Sequence, residues 1–298
     1  PAGPVTPELL DEGQTLLRDW GLDVELHDDV FERHDERGYL AGTDALRAEA
    51  VQQVMNDPEI EAIIFSRGGY GTMRIMTRLD YGRFVSNPKI LVGFSDLTAL
   101  HLYLAGVLDV ATLHAPVVKS VRLHDPDGAS LESLRSALFG ERKPPFGVDG
   151  LETVSPGTCA GRILGGNLTL LVHLLDSHFC PDFDDAILLL EEIGEEDYRL
   201  DRMMTALRMS AKAGSPAGIV LGDFTECGGA YLEDDEIEDF VAALASEFDC
   251  PIVSGFPSGH GPRNVAVPMG VDATLDASAG EIVFHADVCK PGEIGHLT

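Results

Sequence analysis

Lys89-Ile90-Leu91-Val92-Gly93-Phe94-Ser95-Asp96 is the stretch that sets the architecture. Ile90, Leu91 and Val92 form a short, uninterrupted apolar run, as expected for a strand covered on both faces in a parallel sheet. Gly93-Phe94-Ser95-Asp96 then turns the chain into a helix through Leu97, Leu100 and Leu104. The same order recurs upstream. Glu61 to Ser66 reads as an apolar strand running into Arg67-Gly68-Gly69-Tyr70-Gly71, followed by a helix with Met73, Met76 and Leu79 on one face. Before that, a helix pattern spans about Ala45 to Met55. At the start, Thr6-Pro7-Glu8 opens a helix with Thr6 as N-cap, Pro7 in the first turn and an acid beside the positive end of the dipole. Leu9, Leu10, Leu16, Leu17 and Trp20 carry that helix to Gly21, and Leu22 to Leu26 reads as a strand. Buried strands separated by helices predict an α/β fold with an N-terminal doubly wound parallel sheet.

Residues 141–158 change character, with Glu141-Arg142-Lys143-Pro144-Pro145-Phe146-Gly147 and Ser155-Pro156-Gly157 as a linker signature. The expected organisation is an N-terminal domain over 1–140, a linker over 141–158 and a C-terminal mixed-sheet α/β domain over 159–298. The second half offers a helix pattern to Leu175, a strand from Ala186 to Leu190 and a helix near Tyr198 to Met209. A strand at Gly218 to Leu221 follows, then an acidic helix from about Asp235 to Leu244 and strand-like stretches at 251–256, 265–275 and 281–285.

The 298 residues are 44% hydrophobic, 7% aromatic and 24% charged, which excludes a wholly disordered chain. No apolar run approaches the roughly 18 residues of a membrane span. The chain opens on Pro1-Ala2-Gly3-Pro4 without the basic region and apolar stretch of a signal peptide. Fifty acids against 21 bases give a net charge of −29, which repels phosphate backbones and argues against nucleic-acid binding. A high-salt cytoplasm and a GC-rich genome with an ordinary solubility surface both explain the acidity. Cys159, Cys180, Cys227, Cys250 and Cys289 are odd in number and form no CxxC, so they read as reduced cytosolic thiols, each a small buried residue.

Four features could carry chemistry. Ser95 stands on a tight strand-to-helix bend at the carboxyl end of a strand, where helix N–H groups can stabilise an oxyanion. Ser-Asp before a helix is also an ordinary N-cap. Arg67-Gly68-Gly69-Tyr70-Gly71 lets backbone approach a ligand or is a plain glycine turn; it lacks the GxGxxG of dinucleotide sites. Glu191, in Leu190-Glu191-Glu192 at the end of an apolar strand, either faces water or serves a site. His260, flanked by glycines in Gly255-Phe256-Pro257-Ser258-Gly259-His260-Gly261, is placed to act as a base, although ten histidines are available. No metal-ligand pattern accompanies these features, so neither metal nor cofactor is expected.

Taken together and in order, the motifs make the chain resemble the LD-carboxypeptidase family of serine peptidases, which includes muramoyltetrapeptide carboxypeptidases and microcin C immunity peptidases. The resemblance runs from Pro1-Ala-Gly-Pro-Val and Tyr39-Leu-Ala-Gly-Thr-Asp through Arg67-Gly-Gly-Tyr-Gly and Gly93-Phe-Ser-Asp-Leu-Thr-Ala-Leu-His101. It continues through Gly165-Gly-Asn-Leu168, Leu190-Glu-Glu, Tyr198-Arg-Leu-Asp-Arg202, Gly222-Asp-Phe-Thr-Glu-Cys227 and Gly259-His260. It implies a triad with Ser95 as nucleophile, Glu191 as acid and His260 as base, divided between the two domains so that hinge motion could misalign it. It also implies an oxyanion hole from the N–H of Asp96 and an N–H of Gly68 or Gly69. The implied reaction is metal-free hydrolysis of an L-to-D peptide bond, releasing terminal D-alanine from cytoplasmic muropeptides in peptidoglycan recycling, by a homodimer. Arg67 and Arg162 are candidates for holding an anionic peptide.

The chain departs from the family at Phe94, where a tyrosine is frequent, and at Ala115 in His114-Ala115-Pro116, where a glycine is frequent. In the family a short first strand precedes the Pro-x-Gly-Pro turn on which this chain opens. Two rivals stand beside the main reading: an immunity-type peptidase cleaving an aminoacyl-nucleotide conjugate, and a non-catalytic peptide-binding protein. An aromatic stacking loop in the second domain would favour the immunity type; Phe179, Phe183, Phe224 and Tyr231 are among the aromatic residues there and do not decide between the two.

Overall fold

The computed structural model describes residues 1–120, 125, 127–229, 231–233 and 236–288. Its described strands are, in chain order, β1 (Ala62–Ile64), β2 (Ile90–Gly93), β3 (Thr112–His114), β4 (Phe146–Val148), β5 (Glu152–Ser155) and β6 (Thr158–Asn167). They continue with β7 (Ile187–Ile193), β8 (Gly218–Thr225), β9 (Ile252–Ser254), β10 (Val267–Met269), β11 (Asp272–Asp276) and β12 (Glu281–Phe284). A four-stranded sheet runs β1-β2-β3-β10 and an eight-stranded sheet runs β4-β12-β11-β6-β7-β8-β9-β5.

The first sheet is built around β2, as the apolar run predicts. Ile90 and Val92 face Leu16, Leu113 and Leu134, while Leu91 faces Val51, Leu97 and Leu100 on the opposite side. Side chains two apart share a face of a strand, so each face of this sheet is covered by its own helices. β1, β2 and β3 pair in parallel. In the second sheet β6 to β9 pair in parallel, whereas β4, β5, β11 and β12 join antiparallel. The expected α/β class, with a mixed second sheet, is what the chain adopts.

The halves are more entangled than two beads on a linker. Residues 141–158 carry β4 and β5, the two edges of the eight-stranded sheet. Proline and glycine made them read as a linker, and sheet edges tolerate those residues because one side of the strand has no ladder to complete. β10, from the second half, pairs antiparallel with β3 of the first. One apolar cluster draws Met76, Ala99, Leu102 and Ala105 together with Leu164, Leu168 and Phe179. Asn167 N–H also donates to Thr98 Oγ1 at 3.0 Å.

Local expectations fare unevenly. Leu22 to Leu26 forms no strand: Leu22 and Val24 turn partly inward and join the apolar cluster of Leu10, Leu17 and Val118 without ladder pairing. The helix after Ser95 is composite, with a 3-10 turn at Ser95–Leu97, an α turn at Thr98–His101 and a π-helical stretch at Leu102–Val107. The acidic helix is Ile237–Ala245. Its expected first residue, Asp235, lies outside the described residues, as does Cys289. Among the described residues no helix is long and apolar enough to cross a membrane.

Candidate active site

The carboxyl ends of β1, β2 and β3 open onto one side of the first sheet, where ligand sites of open α/β sheets lie. From Ile90 to Leu102, Ser95 is the one residue that is not buried. Its φ of 63° is left-handed for a residue with a side chain. Such backbone costs of order 1–3 kcal/mol and persists where the surroundings enforce it. The helix-capping position belongs to Phe94, and no side-chain cap bond is made there, so Ser95 does not act as an N-cap. Gly68 backs directly onto it: a Cβ at Gly68 would lie 3.0 Å from Ser95 Cβ and 3.1 Å from Oγ. Gly3 N–H donates to the Gly68 carbonyl at 3.1 Å and fixes that loop from behind.

Asp96 is fully buried, and its carboxylate accepts from Thr72 N–H at 2.8 Å. Burial pushes its pKa up. Its side chain is therefore committed to the turn at Thr72, while its own N–H sits in the first helical turn, where amides lack intrahelical acceptors.

On the second sheet, adjacent acids at the end of β7 have separate partners because neighbouring strand residues face opposite ways. Glu192 accepts from Asn167 Nδ2 at 2.8 Å, Thr169 N–H at 2.7 Å and Ile193 N–H at 2.9 Å. Glu191, with no exposed surface, places Oε2 2.7 Å from His260 Nδ1. Burial alone would lower the imidazole pKa, but the charge and hydrogen bond of Glu191, helped by Glu192 and Asp223, raise it above the ordinary value. With Nδ1 held by a carboxylate, Nε2 is the nitrogen left for proton transfer. The ring packs on Phe94, centroids 4.8 Å apart.

Ser95, His260, Arg67, Gly68 and Gly69 all line one cavity of about 470 Å³ between the halves, together with Phe94, Lys119, Ile193, Glu226, Gly261 and Asn264. Arg67 Nη1 donates to the Pro4 carbonyl at 2.9 Å. Lys119 stands near it; burial first, then the Arg67 charge, lowers its ammonium pKa. Arg162 is elsewhere. Its Nε donates to the Gly270 carbonyl at 3.0 Å, a second nitrogen donates to Ala105, and Asp109 pairs with it at 3.0 Å. It staples β6 to the first half and is not among the residues lining this cavity.

Sequence reasoning did not single out Lys119 or two residues beneath the site. His101 bonds the Gly93 carbonyl and Thr112 Oγ1, both at 2.8 Å, and burial pulls its pKa to about 4. His114 is buried and neutral, with Nδ1 3.2 Å from Ser258 Oγ in the loop that carries His260. The pattern His114-Ala115-Pro116-Val117-Val118-Lys119, following a strand, was the available signal for both His114 and Lys119. Of the aromatic residues weighed for a stacking loop, Phe179, Phe183 and Phe224 are in the core and Tyr231 is exposed.

A left-handed serine, a carboxylate-held imidazole and glycine amides around one cavity are the parts from which acyl transfer is built. Comparison with known proteins identifies the family. Residues 1–115 match the LD-carboxypeptidase N-terminal domain and residues 160–275 the LD-carboxypeptidase C-terminal domain. The murein tetrapeptide carboxypeptidase of Pseudomonas aeruginosa is 31% identical over 296 residues, covering 93% of this chain and 92% of the relative. The crystal structure of muramoyltetrapeptide carboxypeptidase from Oxalobacter formigenes superposes with a TM-score of 0.82 at 26% identity, over 96% of this chain and 98% of the other. The Microcin C7 self-immunity protein MccF of Escherichia coli is 23% identical over 271 residues, covering 80% of this chain and 77% of the relative. With both of its halves matched and a relative aligned along almost its whole length, the chain belongs to the LD-carboxypeptidase family of peptidases.

Proposed function

We propose that the chain is a serine-type LD-carboxypeptidase that removes terminal D-alanine from muropeptide tetrapeptides. The observation that carries this is the 2.7 Å contact between buried Glu191 and His260, on the same cavity as a left-handed Ser95. Ser95 Oγ attacks the carbonyl carbon of the L-to-D bond while His260 Nε2 takes the hydroxyl proton. Glu191 fixes the tautomer and stabilises the imidazolium. The carbonyl oxygen, now an oxyanion, is met by the N–H of Asp96 and one from Gly68 or Gly69. Collapse breaks the C–N bond, and His260 returns its proton to the leaving amine. Water then attacks the acyl-serine, His260 takes a proton from it, and Ser95 leaves with that proton as the shortened peptide is freed.

A carboxypeptidase must also hold a free carboxylate against the repulsion of a −29 chain. Arg67 and Lys119 are the Arg and Lys side chains on the cavity wall among the described residues, and in this reading they receive the D-alanine carboxylate. Arg162 has no part in it. Cytoplasmic location and a homodimer accompany the proposal as the expected setting for peptidoglycan recycling.

An immunity-type activity is the second reading, favoured by the likeness to MccF and by exposed Tyr231 as a candidate stacking surface. One mass-spectrometric experiment separates the readings. The protein is incubated with a defined tetrapeptide ending in D-alanine and, separately, with an aminoacyl sulfamoyl nucleoside. Loss of one alanine from the peptide is the expected result. Cleavage of the conjugate alone would replace this reading with the immunity type, and binding of the peptide without cleavage would make the chain a binding protein.

A further inference from the structure

His260 faces two neighbouring carboxyl groups along the strand ends, and only Glu191 has a part in the chemistry above. The other is Asp223 on β8, the strand paired with β7. Its main-chain N–H donates to the Ser258 carbonyl at 3.0 Å, and Gly261 lies directly against its carboxyl group. The loop is threaded tightly over it. A Cβ at Gly261 would fall 2.5 Å from Asp223 Cγ and 2.6 and 2.7 Å from its two oxygens. A Cβ at Gly259 would be wedged 3.1 Å from Glu191 Cβ and 3.2 Å from Asp223 Cβ. Residues 258–261 thus rest on both carboxyl residues at once. Oδ2 of Asp223 is buried and has no hydrogen-bond partner among the described residues.

Taking His260 as the base of the proposed reaction, we infer that Asp223 is a positioning residue. It supports the histidine loop through its packing against Gly259 and Gly261, and by its own ionisation it sets how readily His260 gives up its proton.

The charges around Asp223 give the direction. Glu191 faces it from β7, Glu238 from the helix Ile237–Ala245 and His260 from the loop; Glu192 and Glu191 also act on His260. Burial, and then the two glutamates, push the Asp223 pKa up to about 7, against the Gly261 amide and His260. Asp223 therefore changes charge in the range where an imidazole does, and the two titrate as a coupled pair. Ionised Asp223 favours imidazolium, which cannot act as a base. Neutral Asp223 leaves that task to Glu191 and Glu192.

Asp223→Asn keeps the shape that packs against Gly261 but removes the charge. NMR titration of the His260 ring in the resting protein, which needs no substrate, should then show the imidazole losing its proton at lower pH, by roughly half a unit or more. The acid limb of kcat/KM for the tetrapeptide should move the same way, with the plateau kcat within about threefold of the parent. Asp223→Ala removes that packing as well, and kcat should fall about tenfold or more with KM within about threefold, because only the base is displaced. Gly261→Ala, which forces the loop off the carboxyl group, should reproduce that split. An unmoved His260 titration in Asp223→Asn would overturn the electrostatic half of the inference. Parent kcat in both Asp223→Ala and Gly261→Ala would overturn the positioning half. If the parent protein cleaves no tetrapeptide, the functional proposal fails, and the NMR titration still decides the coupling.

Discussion

Gly68→Ala tests how closely the glycine loop and Ser95 depend on each other. Gly68 is not in the left-handed region, so alanine is tolerated by the backbone itself. The obstacle is local: the added methyl would sit 3.0 Å from Ser95 Cβ and 3.1 Å from Oγ. Relaxed carbon contacts lie at about 3.5–4.0 Å. About half an ångström must be found. Gly68 is held from behind by the hydrogen bond from Gly3, and Ser95 already stands in strained backbone with buried residues on both sides. Part of the displacement therefore falls on the hydroxyl. Misplacement of a reacting atom by about 1 Å costs about 10²-fold, so half of that costs about tenfold. The expected outcome is a kcat for D-alanine release down about tenfold, a KM changed less than about threefold, and a melting temperature lowered by only a few degrees. Steady-state kinetics on the tetrapeptide with calorimetry alongside would read all three. An unchanged kcat would refute the reasoning, because Ser95 would then not be the atom whose position limits the reaction.

Glu191→Gln leaves the His260 ring beside a neutral amide, and kcat should fall by about 10³–10⁴ while the protein still folds and binds peptide; peptide turnover with a binding isotherm checks both. Lys119→Ala should raise KM for the free-acid peptide about tenfold, as expected for one charge-assisted contact, and leave kcat nearly intact, with Lys119→Arg close to the parent. Burial holds the His101 pKa at about 4 against an ordinary 6.5. Protons therefore bind the unfolded chain first as pH falls, and stability is lost between about pH 6.5 and pH 4. The shift corresponds to about 3 kcal/mol. Urea unfolding should show this acid loss smaller by that order in His101→Gln. The comparison is made between variants because Asp223, Asp96 and Glu192, whose pKa values are raised, pull the opposite way in both proteins.

The parts of the site that were readable from sequence are those encoded locally. An apolar run ending in Gly93-Phe94-Ser95-Asp96 announces a bend, and the φ of Ser95 is what such a bend requires. Glu191 and His260 are 69 residues apart in the chain. No local signal pairs them, and they emerged through the order of motifs across the whole chain. Glu192 shows the limit well: it is the same residue type and nearly as buried as Glu191, and only the alternation of β7 sends it to Asn167 instead. β10 was readable as extended but not as a member of the first sheet, because hydrophobic pattern gives burial and not the identity of the partner strand. Arg162 looked available for an anion from sequence. Backbone carbonyls of Gly270 and Ala105, which any sequence possesses, claim it instead. Asp223 was visible inside a quoted motif, but its closeness to Gly261 depends on how a distant loop settles over β8.

The most direct test is covalent labelling of the resting protein with a serine-directed fluorophosphonate, followed by peptide mapping. The expected result is a single adduct on Ser95, formed far more slowly in His260→Ala and absent in Ser95→Ala. Labelling at another residue, or a Ser95 that reacts equally fast without His260, would contradict the assignment of Ser95, His260 and Glu191 to one catalytic unit.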